Sequence, residues 1–284
     1  MSETIRTISN YAQTLLSPEY DITEIKATLR IIFEECQGWS FTQQVINYDQ
    51  QLPSESVKRI KDILKRLSMG EPLQYIFGYE LFMGLKLKVD TSTLIPRPET
   101  EELVQRVAKT DKSSVTILDI GTGSGAIAIA LAKKIERAKV TACDISKEAL
   151  GIAQQNAESH NVEIKFIEAD ILNWENYRFE QYNIIVSNPP YITESEKQEM
   201  ERRVLEHEPH SALFVPDTNP LLFYRRIAQF GTKHLENGGE LWFEINRAYG
   251  KECCNMLQEI GYCKIELYKD NFNNDRIVRA KWMR

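Results

Sequence analysis

Positive charge is not in excess in this chain: 35 lysines and arginines stand against 41 aspartates and glutamates, a formal net charge of −6 over 284 residues. Such a balance leaves no electrostatic footprint for a bare phosphate backbone, so nucleic acid is disfavoured as the main partner. Paired cysteines are missing as well. The five present (Cys36, Cys143, Cys253, Cys254 and Cys263) are odd in number and scattered, with no CxxC spacing. This argues against a disulfide framework or zinc chemistry and for reduced thiols. Histidine is scarce, and although His207 and His210 flank Glu208-Pro209, no further ligand follows at metal-site spacing, so no metal is expected. No apolar run reaches membrane-spanning length, and the polar start Met1-Ser2-Glu3-Thr4 has no signal-peptide core. A cytoplasmic protein is expected.

What the chain does have is a change of pattern near Gly70. Residues 8–68 carry apolar side chains at helical spacing, for example Ile25, Leu29, Ile32 and Phe33, then Val57, Ile60, Ile63, Leu64 and Leu67. Asp21 and Ser54 suit helix N-caps, and Gly38 and Gly70 stand where helices would stop. The basic run Lys58, Arg59, Lys61, Lys65 and Arg66 has the spacing of a solvated helix face. No catalytic constellation lies in this part. Beyond Gly70, residues 73–77 and 81–89 predict a β-hairpin. Then Ile95-Pro96-Arg97-Pro98-Glu99-Thr100-Glu101 opens a helix, with Pro98 in its first turn and acids near its positive end. Such a segment suits a rigid connector or a loop closing over a site.

From residue 115 strands and helices alternate. Strand 115–120 runs into Gly121-Thr122-Gly123-Ser124-Gly125 and an apolar helix over 126–132, a turn whose backbone N–H groups could approach a nucleotide-like ligand. Strand 139–143 ends in Asp144, roughly 20 residues beyond the glycines, where an acid can bind ribose hydroxyls. Gly121 to Ala126 also fits a loose dinucleotide fingerprint, which keeps a nicotinamide or flavin oxidoreductase open. Asp119 weighs against that. A carboxylate just before the glycines meets a pyrophosphate unfavourably, yet it can accept from a cationic amino group, such as that of S-adenosylmethionine.

Strand 164–168 ends in Asp170, placed to accept from an adenine amine, and strand 182–187 ends in Asn188-Pro189-Pro190-Tyr191. Neither proline can donate to a ladder, so nearby carbonyls, the Asn188 amide and the Tyr191 ring form a socket for a planar NH2 group. An ordinary strand-ending turn is the alternative. Four strand ends thus carry polar groups along the carboxyl edge of one parallel sheet. Helix 221–235 stopped by Gly238-Gly239, strand 240–245, helix 248–260, and strands 264–268 and 276–282 around Asn271-Phe272-Asn273-Asn274-Asp275 bring the count to seven strands and end in an antiparallel hairpin.

Asp119-Ile120-Gly121-Thr122-Gly123-Ser124-Gly125 followed by Asn188-Pro189-Pro190-Tyr191 resembles the class I S-adenosylmethionine-dependent methyltransferases that act on planar nitrogens. With Leu94-Ile95-Pro96-Arg97-Pro98-Glu99-Thr100-Glu101 and the helical amino-terminal part, the chain is similar over almost its whole length to the peptide chain release factor glutamine-N5 methyltransferases. The resemblance implies an α/β fold, with a Rossmann-like seven-stranded sheet, an antiparallel carboxy-terminal hairpin and a small amino-terminal helical domain. It implies a helical substrate-recognition domain over 1–70, a β-hairpin linker over 71–93 and a methyltransferase domain over 94–284.

S-adenosylmethionine is the implied cofactor, bound by Gly121, Thr122, Gly123, Ser124, Gly125, Asp144, Asp170, Ile171 and Asn188. The implied substrate is the glutamine of the release factor Gly-Gly-Gln motif, held by Asn188, Pro189, Pro190 and Tyr191, with Asn188, Pro189 and Tyr191 catalytic. One departure stands out. The family often has an aromatic residue after the acid matching Asp170, and here Ile171 takes that place, as an aliphatic adenine wall or with Trp174 substituting. A primary amide nitrogen is a poor nucleophile, so hydrogen bonds from its two N–H groups to Asn188 and the Pro189 carbonyl would orient it, with no strong general base required. A monomer that binds release factors and no nucleic acid directly is expected. DNA N6-adenine methylation, in which a flipped-out adenine offers a similar NH2 group, and a non-catalytic nucleotide-binding scaffold are the alternatives.

Overall fold

The computed structural model describes residues 3–109, 114–270 and 272–284; Met1 and Ser2 of the polar start and Asn271 of the expected hairpin turn lie outside them. In chain order its first elements are α1 (Ile5–Leu16), α2 (Ile22–Gln37), α3 (Phe41–Ile46), α4 (Ser54–Ser68), α5 (Leu73–Phe77), β1 (Tyr79–Phe82) and β2 (Leu85–Lys88). There follow α6 (Pro98–Val107), β3 (Thr116–Ile120), α7 (Ala126–Lys134), β4 (Lys139–Asp144), α8 (Lys147–Ser159), β5 (Ile164–Glu168), β6 (Tyr182–Ser187) and β7 (Ile192–Thr193). The last are α9 (Arg202–His207), β8 (Phe214–Val215), α10 (Leu222–His234), β9 (Leu235–Glu244), α11 (Gly250–Ile260), β10 (Cys263–Lys269) and β11 (Asp275–Lys281). The chain divides into two compact units, Met1–Phe77 with Arg202–His207, and Gly78–Glu201 with Glu208–Arg284.

The first unit is helical because its apolar residues repeat at the helical period and bury one stripe per helix, as Ile25, Leu29, Ile32 and Phe33 do on α2. Asp21 caps α2 by accepting from the amides of Thr23 and Glu24, and Gly38 at φ +68° ends it. Two expectations fail here. Ser54 is already helical, with Pro53 at the cap position and no side-chain cap bond. Residues 73–77 form the helix α5 rather than a strand, starting where the Tyr75 and Ile76 amides reach the Pro72 carbonyl; a five-residue apolar run carries too little periodicity to separate the two. Three of the five basic residues on α4 pair with acids, Lys61 with Glu3 at 2.5 Å, Arg66 with Glu71 at 2.5 Å and Arg59 with Glu35 at 3.6 Å. Arg203 of α9 bonds Glu24 of α2 at 2.7 Å.

The second unit opens with the antiparallel pair β1–β2, in which Phe82 faces Leu85. Its main sheet has seven strands among the described residues, in the order β10-β11-β9-β6-β3-β4-β5. β9, β6, β3, β4 and β5 run parallel to one another, while β11 is antiparallel to β9 and to β10. Central parallel strands are covered on both faces and so read as unbroken apolar runs. Successive residues of β3 accordingly enter different cores: Ile117 joins Leu103, Ile127 and Ile184, and Leu118 joins Ile185, Ile227 and Leu257. Gly238-Gly239, expected to stop a helix, instead lies within β9. Gly238 takes φ +77°, and the β6–β9 register shifts between Tyr182 and Ile184, so the glycines bend a strand that has already begun at Leu235. Among the described residues no helix is long and apolar enough to cross a membrane.

Candidate active site

Strand register brings the polar strand ends together. Ile120 pairs with Cys143 of β4 on one side and with Ser187 of β6 on the other, and Asp144 pairs with Glu168 of β5. The residues that follow, Gly121, Asp170 and Asn188, therefore leave the sheet at the same edge as Asp144. A 2.7 Å bond from the Ser187 hydroxyl to the Ile120 carbonyl locks the two central strand ends, which sets Asn188 beside the glycine turn.

The turn itself is closed by its own main chain. The amides of Gly121 and Thr122 donate to the Cys143 carbonyl at 2.9 and 3.1 Å, and Gly123 donates to Asp144 Oδ2 at 2.9 Å. The Gly125 amide goes to the Thr122 carbonyl at 2.9 Å. The amides of Gly121, Thr122, Gly123 and Gly125 are thus committed inward, and these glycines contribute shape. Gly121 and Gly123 sit at φ +71° and +53°, with nothing within 4 Å of where a Cβ would stand. Gly125 differs: a Cβ there would come 3.0 Å from Ile129 Cδ1 and 3.1 Å from Ala153 Cβ, so it permits close packing of α7 on α8.

Two carboxylates serve this edge. Asp144 also accepts from the Ser146 amide at 2.9 Å, and each of its oxygens keeps a lone pair for another donor. Burial raises its pKa, against the pull of those amides. Asp119 is fully buried. Its Oδ2 accepts from the Thr122 hydroxyl at 2.7 Å and the Ala128 amide at 3.2 Å, while Oδ1 is buried with no partner. Burial pushes its pKa up to about 7, only partly offset by the Thr122 and Ala128 bonds. A buried carboxylate oxygen left open is costly unless a donor comes to it.

Further along, Asp170 is turned to its own chain, accepting from the Leu172 amide at 2.8 Å and Asn173 Nδ2 at 2.6 Å. Ile171 is buried in the same apolar cluster as Cys143 and Ala169. The Trp174 ring packs edge-on against Phe230 and His234, at 5.6 and 5.8 Å between centroids.

The Asn188 socket is built from distant side chains. Asn188 Nδ2 donates to Thr100 Oγ1 at 3.2 Å, Thr100 donates to Glu244 Oε2 at 2.7 Å, and the Tyr191 hydroxyl donates to Glu244 Oε1 at 3.3 Å. Asn246 Nδ2 holds the Tyr191 carbonyl at 3.1 Å. Burial raises the Tyr191 pKa, with the Glu244 charge adding to it; burial also raises that of Glu244, against the pull of Thr100 and Arg276. The proline-punctuated segment before α6 is tied down by Glu208, which accepts from the Ile95 amide at 3.2 Å and from Arg97 at 2.5 Å. Pro98 is the first residue of α6, with Glu99 and Glu101 in its first turn.

Thr100, Glu244, Asn246 and Glu208 were missed by sequence reasoning. A signal existed for one of them: Glu244 is an acid inside Leu241-Trp242-Phe243-Glu244-Ile245, where burial of a charge needs a reason. Among the described residues no group of three or more His, Cys, Asp or Glu side chains is arranged to hold a metal ion.

Residues 8–78 match the family model described as PrmC N-terminal domain, and residues 98–212 match the Methyltransferase small domain. A release factor glutamine methyltransferase of Bacteroides thetaiotaomicron is 44% identical over 273 residues, 96% of this chain and 98% of its own length. One from Flavobacterium psychrophilum is 42% identical over 279 residues, 96% of this chain and 97% of its own. In fold, a methyltransferase from Pyrococcus furiosus superposes with a TM-score of 0.53 over 82% of this chain and all of its own, at 17% identity.

Proposed function

This chain belongs to the release factor glutamine methyltransferases, and from that premise we propose that it methylates the side-chain amide nitrogen of the glutamine in the Gly-Gly-Gln motif of a release factor. The observation that carries the reading is the Asn188 side chain, held beside the glycine turn at the carboxyl edge with its Nδ2 taken by Thr100. That bond leaves Oδ1 as the end of the amide that accepts, which is what an incoming NH2 group needs.

S-adenosylmethionine, when bound, supplies an electrophilic methyl group on sulfonium sulfur. The residues present fit it. The open oxygen of buried Asp119 suits a cationic amino group, Asp144 has lone pairs for ribose hydroxyls, and Gly121 and Gly123 leave space at the turn. A dinucleotide fits less well, because its pyrophosphate would meet Gly121, Thr122 and Gly123 amides already spent on Cys143 and Asp144, next to the buried Asp119 and the part-buried Asp144. In this reading Gly121 to Gly125, Asp144, Asp170 and Ile171 line the cofactor side, and Asn188 and the Pro189 carbonyl accept from the substrate amide. Those two acceptors turn the nitrogen lone pair toward the methyl group and favour the positive charge that develops there.

The helical unit is the part we assign to release factor recognition. Its α3 leaves Phe41, Val45 and Ile46 exposed, Ile46 by 76%. The free thiols suit a reducing cytoplasm. The test is to incubate the protein with labelled S-adenosylmethionine and either a release factor or duplex DNA, then locate the label. Label on the motif glutamine supports the reading, and label on adenine or on neither substrate overturns it. No observation here favours DNA methylation or a non-catalytic scaffold.

A further inference from the structure

We propose that Glu244 and Thr100 are positioning residues that fix which end of the Asn188 amide faces the substrate. The inference rests on the methyltransferase reading but concerns how its socket is wired. An asparagine amide is nearly symmetric in shape, and its two ends differ in what they can do. Oδ1 accepts from a substrate N–H, whereas Nδ2 would present hydrogens to hydrogens and orient nothing. Something must therefore choose the end.

The chain of bonds behind Asn188 makes that choice by proton direction. Glu244 stands at the carboxyl end of β9, 1% exposed, and as a carboxylate it can only accept. It takes the single hydroxyl hydrogen of Thr100 at 2.7 Å, so Thr100 Oγ1 has only lone pairs to offer Asn188 at 3.2 Å. Asn188 must then turn Nδ2 toward Thr100 and Oδ1 outward. The second Glu244 oxygen takes the Tyr191 hydroxyl at 3.3 Å, which holds the ring that walls the same socket. The direction set by one buried acid thus passes through α6 to the strand end that β6 presents. Register supports this route, since Phe243 pairs with Ser187 and the residues that follow them, Glu244 and Asn188, are the two ends that Thr100 joins.

Glu244→Gln keeps the shape but breaks the rule. A glutamine can donate to Thr100, freeing the hydroxyl hydrogen to point at Asn188 and allowing the reversed amide. Thr100→Val removes the acceptor, whereas Thr100→Ser retains it. We expect single-turnover methylation to fall about tenfold in Glu244→Gln and about a hundredfold in Thr100→Val, with Thr100→Ser within about threefold of wild type. S-adenosylmethionine affinity and melting temperature should stay near wild type in Glu244→Gln and Thr100→Ser. A merely structural role predicts instead that rate, affinity and melting temperature fall together and that Ser is no better than Val, and either pattern overturns the relay. Wild-type rates in both Glu244→Gln and Thr100→Val overturn it too.

A second measurement needs no substrate. In protein labelled with 15N-asparagine, one Asn188 Nδ2 proton should exchange slowly in wild type and rapidly in Thr100→Val; identical signals in the two would sink the relay. If the wild-type protein methylates no glutamine, the functional reading fails while this amide signal still decides the wiring.

Discussion

The two sides of the candidate site are made in different ways. On the cofactor side, Gly121 to Gly125 and Asp144 are bound to each other by main-chain amides across two adjacent strands, and the geometry is set within about 25 residues of sequence. On the amide side, the Asn188 side chain is oriented by Thr100 and Glu244, 88 residues before it and 56 after it, through side-chain bonds. A local, backbone-built half tolerates change in distant elements. A half wired through side chains fails when either of two remote residues loses its hydrogen-bonding group, and it can be tuned without touching the cofactor.

This contrast separates the expected variants. The largest effect belongs to Asn188→Ala, which leaves a substrate N–H unsatisfied in the transition state; single-turnover rates should fall about 10²–10³-fold, with cofactor affinity changed far less. Asp144→Ala should act in the opposite column. Loss of an acceptor for the ribose is expected to weaken S-adenosylmethionine binding by roughly 1–3 kcal/mol, read by calorimetry as about five- to 150-fold.

A smaller effect concerns pH and Asp119. With a pKa of about 7 in the free protein, this carboxyl holds its proton below that pH, whereas a cofactor ammonium requires the carboxylate. Affinity should therefore rise with pH up to about 7, by at most about tenfold per unit, with proton release on binding, and Asp119→Asn should flatten the profile. Stability runs the other way. The folded state holds this proton more tightly than the unfolded chain, so the contribution of Asp119 is full below the ordinary aspartate range and is lost as pH rises through about 7; melting temperatures of the free protein, with Asp119→Asn as control, check the sign. The smallest effect is expected from Ile46→Glu on α3. It should raise KM for an intact release factor by about two- to tenfold while leaving cofactor binding alone, and an unchanged KM would remove α3 from the recognition surface.

The same contrast explains what could be read from sequence. Strands β3 to β6 and the glycine turn were legible because apolar runs, glycines and terminal acids are local signals, and Asp21 and Gly38 announced the ends of α2 in the same way. Misreadings came where a local signal was ambiguous. Residues 73–77 are too few to separate strand from helix, and Gly238-Gly239 suits a strand bend as well as a helix stop. The amides of Gly121, Thr122 and Gly123 were expected to face a ligand because the motif permits it; the preference for Cys143 and Asp144 appears only when β4 lies alongside. Thr100 and Glu244 carry no motif of their own. Their meaning exists once α6, β6 and β9 meet at one edge.

The most direct test of this division of labour is single-turnover methylation of a release factor by Asp144→Ala and Asn188→Ala, each at saturating S-adenosylmethionine. Saturation should restore Asp144→Ala to near the wild-type rate, because its defect lies in binding, and should leave Asn188→Ala slow. A folded Asn188→Ala protein that reaches the wild-type rate under the same conditions would contradict the account.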